Sequence, residues 1–333
     1  MSAFPTTPAA VRRAWPMLRL LGGALVLTVL LWRFGTGPFV EAWRVTTWWA
    51  VLAALVITAL CTLTSAWRWR VVAARLQVPL TTRLAIAAYY RSQFLNATLP
   101  GGVLGDAHRA VRHGRDVGDV QAGLRATVWE RVAGQLVQVA LMLLALLLLP
   151  SPLRRLSPVA VGVAAVVAGV VWWVQGRGAR AGRGFVAADV RSLLELGPAV
   201  RIAVASCAST AGHLAVFLVA ARAVGVDAPL TVLVPTSLVV LVVSSVPISV
   251  AGWGAREGVT AWAFAVAGLG SANGLTVSVV YGVLAAVATL PGAVVLVSET
   301  IRRGNQRGNH RPVEEHGPAA EPIVEELEEV GHG

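Results

Sequence analysis

Two apolar stretches of the chain are interrupted by the same pattern of proline, glycine and arginine. Both interruptions read P-x4-G-x3-R, with Pro100, Gly105 and Arg109 in the first and Pro247, Gly252 and Arg256 in the second. A helix that breaks at membrane depth frees backbone N–H groups at a positively polarised helix start, which can hold an anion. An arginine at the same place adds a planar fork of donors that suits phosphate. Paired interruptions of this kind are typical of transporter binding sites, although a shared turn geometry would also produce the pattern.

A polar stripe along an apolar segment is the third candidate for chemistry. The stripe recurs at i, i+4, i+8 and i+11 and consists of Thr127, Arg131, Gln135 and Gln138. Because a charge inside the membrane is costly, Glu130 is expected to pair with an arginine of a neighbouring helix, either Arg91 or Arg109. Such a pair fits a structural role as well as a functional one.

A weaker polar stripe consists of Ser206, Thr210 and His213. Here His213 is expected to be a packing residue that forms hydrogen bonds, not a proton carrier.

The segments that carry these residues are apolar. Of the 333 residues, 56% are hydrophobic and 14% are charged, whereas a soluble protein has about a quarter of its residues charged. This excludes an ordinary soluble domain, a disordered chain and a disulfide scaffold. The 28 basic residues are all arginines, and seven of the 17 acidic residues follow Arg311. The hydrophobic part of the chain is therefore more basic than the net charge of +11 indicates.

Seven stretches are long and apolar enough to cross a membrane, which takes roughly 20 residues or fewer with snorkelling flanks. They are Met17–Trp32, Thr46–Trp67, Val132–Leu149, Val159–Val174, Ile202–Ala221, Leu230–Val246 and Leu275–Val297. Two shorter stretches, Leu84–Leu99 and Val259–Leu269, are predicted to be re-entrant or broken helices. Arginines cluster before the first span and after the last, so both termini are predicted to be cytoplasmic and the number of crossings even.

These predictions define an all-α polytopic integral membrane protein with about eight transmembrane helices and two Pro/Gly-broken segments. Leu84–Leu99 is preferred as the re-entrant segment and Val259–Leu269 as the short crossing, although the two could be exchanged. The predicted domains are a cytoplasmic N-terminus (1–16), a transmembrane domain (17–300) and a disordered cytoplasmic tail (301–333), basic and then acidic. The predicted location is the cell membrane.

Several kinds of chemistry lack the residues that they need. The sequence contains no zinc motif, nucleophile elbow or Walker loop, and Cys61 and Cys207 both lie inside apolar spans. The glycine- and arginine-rich stretch 176–184 follows a span and not a buried strand, so it is interpreted as a connector. We therefore expect no cofactor, no metal, no catalytic residue, no nucleic-acid partner and no means of ATP hydrolysis.

The motifs together resemble the lysylphosphatidylglycerol synthase transmembrane-region family of flippase-like proteins. The resemblance covers about residues 15–300 and is carried by N-A-T-L-P-G-G at 96–102, by E-R-V at 130–132 and by P-I-S-V-A-G-x-G-x-R-E-G at 247–258. Two-domain members make aminoacylated phosphatidylglycerol in a cytoplasmic domain and translocate it through the membrane part. Family members are bacterial and archaeal, and stand-alone relatives are linked to the movement of other lipids, such as hopanoids or polyprenyl-linked sugars. The cytoplasmic synthase domain is missing from this sequence.

The resemblance implies a lipid translocase without enzymatic activity, whose partners are membrane lipids, either anionic phospholipids or polyprenyl or aminoacyl lipids. The residues expected to bind substrate are Arg91, Asn96, Arg109, Glu130, Arg131, Arg256 and Glu257. The arginines at 91, 109 and 256 would contact the phosphate, and the two glutamates would hold them or accept a cationic headgroup. The residues expected at the breaks and hinges are Pro100, Gly101, Gly102, Gly105, Asp106, Pro247, Gly252 and Gly254, with Asp106 capping the restarted helix.

Two other functions remain open. The first is a membrane transferase acting on a lipid-linked substrate, with Glu257 or Asp106 as base. The second is an accessory subunit that docks a lipid-modifying enzyme through the acidic tail. The sequence leaves the lipid, the direction of transport, the coupling ion and the oligomeric state open.

Overall fold

The computed structural model describes residues 35–99, 102–158, 185–245 and 254–308, together with residues 28, 32, 161 and 162. These residues contain helices and no strand, which confirms the predicted all-α class. The helices are α1 (Gly37–Val45), α2 (Trp48–Arg75), α3 (Thr82–Thr98), α4 (Leu104–Asp116), α5 (Val120–Leu148), a 3-10 turn (Pro152–Leu156), α6 (Phe185–Leu194), α7 (Leu196–Ala223), α8 (Leu230–Ser244), α9 (Ala255–Val266), α10 (Ser271–Ala288) and α11 (Pro291–Gly308).

Four helical stretches in the described part of the chain are long and apolar enough to cross a membrane. They are Trp48–Arg75, Val120–Leu148, Leu196–Ala223 and Ser271–Glu299, and α8 is a shorter apolar helix. They coincide with four of the seven predicted spans, and α8 with a fifth. The predicted spans Met17–Trp32 and Val159–Val174 lie outside the described residues except for positions 28, 32, 161 and 162, and so do the N-terminus and most of the tail. The total of eight crossings therefore stays a prediction.

One face of α2 is apolar and exposed along the length of the helix. Its exposed side chains recur every three or four residues, which places them on one side: Trp48, Leu52, Val56, Leu60, Leu63 and Trp67. The opposite side of α2 packs on α7 through small residues. A Cβ added at Gly212 of α7 would lie 2.2 Å from Sγ of Cys61, so the two helices approach closely. Small residues at close crossings are the usual basis of helix packing in membranes.

The chain divides into two compact units, Met1–Val295 and Leu296–Gly333. The first contains α1 to α10 and the start of α11. Its largest buried apolar cluster includes three aromatic rings, with Phe217 lying 6.3 Å from Phe264 and 5.5 Å from Tyr281 between ring centroids. In the second unit, the described residues continue helix α11 as far as Gly308.

The segment that carries the first motif forms two helices joined by a break. Helix α3 ends at Thr98 and α4 begins at Leu104, so the helix is interrupted where the sequence places the first break. Gly102 has a φ of +61°, a conformation that glycine adopts without strain. Gly105 then lets α4 lie against α3, because a Cβ at this position would be 2.0 Å from the carbonyl oxygen of Ser92.

We expect Gly105→Ala to destabilise the protein by about 1–3 kcal/mol, because the added methyl group overpacks the contact between α3 and α4. Gly258→Ala is the matched control, since no atom lies within 4 Å of the added Cβ and alanine favours the helix. Thermal unfolding of the purified variants in detergent measures both. Equal midpoints for the two variants would show that α3 and α4 do not need this close approach.

Candidate functional site

Five charged side chains from three helices meet in the interior of the first unit. They are Arg68 on α2, Asp106 and Arg109 on α4, and Glu130 and Arg131 on α5, and we call them the ion cluster. Four of the five are at least nine-tenths buried as whole residues, whereas the side chain of Arg131 is 39% exposed. Three arginines face two carboxylates, so the cluster carries one net positive charge.

Glu130 is the acid at the centre of the cluster. Its Oε1 accepts hydrogen bonds from Nε and Nη2 of Arg68 at 2.8 and 2.5 Å, and its Oε2 accepts one from Arg109 at 3.1 Å. The pairing with Arg109 confirms one of the two expected partners. Gly134, one turn further along α5, leaves room for the guanidinium of Arg68, which would lie 3.0 Å from an added Cβ.

Asp106 lies in the first turn of α4, where a carboxylate complements the helix dipole. The expected capping role is wrong, because α4 begins after Val103 and has no side-chain cap. Instead, Oδ1 accepts from Ser92 and Arg109, and Oδ2 accepts from Asn96 and Arg131. Two of these four donors are guanidinium groups, so the carboxylate of Asp106 is paired with two cations.

Arg109 is enclosed by aromatic rings. Its guanidinium carbon lies 4.4 Å from the ring centroid of Trp69 and 4.1 Å from that of Tyr89, so the cation stacks between two π faces. His113 packs edge-on against Trp69 with centroids 5.2 Å apart. The His113 ring is buried beside the cluster.

The α5 stripe links the ion cluster to the helix that precedes the second motif. Gln135, one helical turn after Arg131, accepts a hydrogen bond of 2.9 Å from the hydroxyl of Ser245. Ser245 is the C-cap of α8, two residues before Pro247 in the sequence. Thr127 of the same stripe bonds its own helix, donating to the carbonyl oxygen of Gly123.

The second motif forms a smaller cluster at the start of α9. Glu257 is fully buried, and its Oε2 accepts a 2.5 Å hydrogen bond from the backbone N–H of Gly254, whose φ is +104°. Its Oε1 accepts from Nη2 of Arg256 at 2.7 Å and from the hydroxyl of Ser278 at 3.3 Å. Arg256 also lies 5.5 Å from the ring centroid of Tyr281 on α10.

The predicted site residues thus fall into two groups. The structure brings five of them together around the first break: Asn96, Asp106, Arg109, Glu130 and Arg131. The pair Arg256 and Glu257 lies with α10 in the second group. Arg91 is buried on α3 beside Ser92 in the sequence. The hinge residues Pro100, Gly101, Pro247 and Gly252 lie outside the described residues.

Arg68, Tyr89 and Ser206 also belong to the site, although the sequence pattern did not indicate them as binding residues. The predicted span ends at Trp67, one residue before Arg68, whereas α2 continues to Arg75. The signal was the face of the helix, since Arg68 shares a buried side with Cys61, Ser65 and Val72 at helical spacing. Ser206 of the weaker stripe accepts from Nη1 of Arg68 at 3.1 Å, and Tyr89 contacts Glu130.

A family model confirms the resemblance. The model described as the lysylphosphatidylglycerol synthase TM region matches residues 17–292, which is most of the chain. The chain belongs to this family. No curated protein and no solved structure matches it. The family and the apolar helices establish a multi-pass integral membrane protein that handles lipids.

The ion cluster is suited to electrostatic recognition. In the described part of the chain, no three histidine, cysteine or acidic side chains lie close enough together to hold a metal ion. What the site offers instead is a set of guanidinium groups fixed by buried carboxylates and aromatic rings. Such groups recognise oxyanions through charge-assisted hydrogen bonds.

We expect Arg68→Met to lower the free energy of unfolding by about 3–5 kcal/mol, because it leaves Glu130 buried with one of its two arginines gone. Arg75→Met is the control on the same helix. It breaks a surface pair with Glu195 and should cost at most about 1 kcal/mol.

Chemical denaturation of the purified proteins compares the two variants, and adding Glu130→Gln to Arg68→Met should recover part of the loss. Equal stability of the two single variants would mean that the cluster does not hold the helices together.

Proposed function

We propose that this protein is a lipid translocase, which moves the headgroup of a phospholipid or lipid-linked molecule across the cytoplasmic membrane. The observation that carries the proposal is the ion cluster, which lies among α2, α4 and α5 beside the break between α3 and α4. A headgroup that crosses the hydrocarbon needs polar partners on its way, and charges are rare inside membranes unless they serve such a pathway.

The cluster suits transport because it is held firmly on one side and open on the other. Arg68, Arg109 and Glu130 are buried and bind one another, which fixes the three helices. Arg131 is the accessible cation of the five. A headgroup that reaches Arg131 would meet a positively charged group whose neighbours are already held in place before the ligand binds.

The second cluster would take part at the other break. Arg256 would contact the headgroup while Glu257 holds its guanidinium, and Arg91 and Asn96 would complete the first site. The hydrogen bond between Gln135 and Ser245 supports cooperation of the two motifs, because it joins α5 to the end of α8, where the second motif begins.

In this proposal the lipid moves without a covalent change. The chain carries no ATP-hydrolysing motif, so the movement would be downhill or coupled to an ion. Both termini would be cytoplasmic, as the arginine distribution indicates. A lipid-modifying enzyme that supplies the lipid would be a separate partner.

The test uses the full chain reconstituted in vesicles that contain a tail-labelled fluorescent phospholipid, with a membrane-impermeant quencher added outside. We expect the protein to expose lipid from the inner leaflet faster than protein-free vesicles do. Arg256→Ala should slow this at least about tenfold, since it removes charge-assisted hydrogen bonds to the headgroup. Arg222→Ala is the control, because that arginine pairs with Asp227 at the end of α7.

A rate in the wild-type protein no faster than in protein-free vesicles would contradict translocation. A lipid whose mass changes during the assay would favour the transferase alternative. Wild-type rates in Arg256→Ala would remove only the second arginine from the site, provided that the variant elutes and unfolds like the wild type.

A further inference from the structure

We infer that the ion cluster selects a lipid by its phosphate and offers no binding site for an ammonium group. Arg131 is the residue that binds this phosphate, and it releases its bond to Asp106 when it does so. The inference rests on the proposed translocase and specifies its substrate class. The expectation that Glu130 accepts a cationic headgroup is thereby replaced.

The acceptor capacity of Glu130 is used within the protein. A carboxylate offers about four lone-pair directions. Arg68 occupies two of them with bonds of 2.8 and 2.5 Å, Arg109 occupies a third, and Tyr89 contacts the same carboxylate. An arriving ammonium would have to displace a buried guanidinium, which would then remain unpaired in the interior.

The acceptor capacity of the Asp106 carboxylate is likewise used within the protein. It accepts one hydrogen bond each from Ser92, Asn96, Arg109 and Arg131, two on either oxygen. Three of these donors sit on α3 and α4 and are held by the close contact at Gly105, whose N–H in turn donates to Oδ1 of Asn96 at 2.8 Å. The fourth donor, Arg131, lies on α5.

Arg131 has donors left over. A guanidinium carries five N–H groups, and within the described residues Arg131 uses Nη2 alone, in its bond to Asp106. Its side chain is 39% exposed, whereas those of Arg68 and Arg109 are 10% and 1% exposed. Gln135 lies on the same face one turn later. The exposed side of the cluster therefore presents the unused N–H donors of Arg131.

The charge balance favours the same ligand. The cluster carries three arginines and two carboxylates, so a phosphodiester with one negative charge brings the total to zero, whereas an ammonium would raise it to two. When phosphate takes Arg131, Asp106 keeps Arg109, Ser92 and Asn96, so neither buried carboxylate is left unpaired. Only one ion pair, the most exposed of those in the cluster, is exchanged for another.

The experiment measures the initial translocation rate of three tail-labelled lipids in the same vesicles. They are phosphatidylglycerol, which has a phosphate and no amine, phosphatidylcholine, which has both a phosphate and a cation, and a trimethylammonium lipid without phosphate. We expect phosphatidylglycerol to move fastest and the trimethylammonium lipid to move no faster than in protein-free vesicles. Soluble glycerol phosphate in millimolar excess should not compete, because the ligand is a headgroup that reaches the site from the bilayer.

Arg131→Gln should raise the phosphatidylglycerol concentration for half-maximal rate about tenfold, because the variant loses a charge-assisted hydrogen bond to the phosphate. Arg125→Gln is the matched control, since Arg125 lies on the same helix and pairs with the buried Asp189 outside the cluster. It should leave the concentration dependence unchanged. Arg131→Lys, which keeps the charge and loses the fork, should give an intermediate value and serves as the test if Arg131→Gln does not fold.

The outcomes distinguish a failure of the translocase proposal from a failure of phosphate selection. No movement of any lipid by the wild type contradicts the translocase itself. Movement of the trimethylammonium lipid at the rate of phosphatidylglycerol overturns phosphate selection, as does an unchanged concentration dependence in both Arg131 variants. Competition by glycerol phosphate would show that the site takes free phosphate anions and not lipids.

Discussion

Glu130 lies between Arg68 and Arg109, and the arrangement of α2, α4 and α5 depends on this pairing. The three side chains come from α5, α2 and α4, and each is buried. A charge in an apolar interior is tolerated only when it is paired and hydrogen-bonded. Pairing these three therefore fixes how the three helices sit against one another, and the remaining polar residues arrange themselves around that pairing.

The glycines of this region follow from the same constraint. Gly105 brings α4 within reach of Ser92 and Asn96, and Gly134 leaves a flat surface for the guanidinium of Arg68. Trp69 and Tyr89 then enclose Arg109 with their ring faces. Four members of the cluster are buried, and Arg131 remains partly exposed. This asymmetry distinguishes residues that hold the site from the residue that faces a ligand.

The sequence predicted the helical class, five of the apolar helices and the pairing of Glu130 with an arginine of a neighbouring helix, for which Arg91 and Arg109 were the candidates. It did so because membrane insertion requires apolar runs and makes unpaired charges costly, and both features are visible in composition and spacing. It misjudged Arg68 and Asp106. Hydropathy ends a span at the first arginine, and a carboxylate at a helix start has the same appearance in the sequence whether it caps the helix or accepts hydrogen bonds from four other side chains.

The amino-acid order is sufficient to place the chain in a membrane, to mark its apolar segments and to show which charged residues need partners. The partners themselves depend on the packing of the helices, because residues 21 to 62 positions apart meet through contacts that no local pattern encodes. The packing also decides that the carboxylates of the ion cluster are saturated while Arg131 is not. That distinction depends on the number of donors around each oxygen, which exists only once the helices are packed.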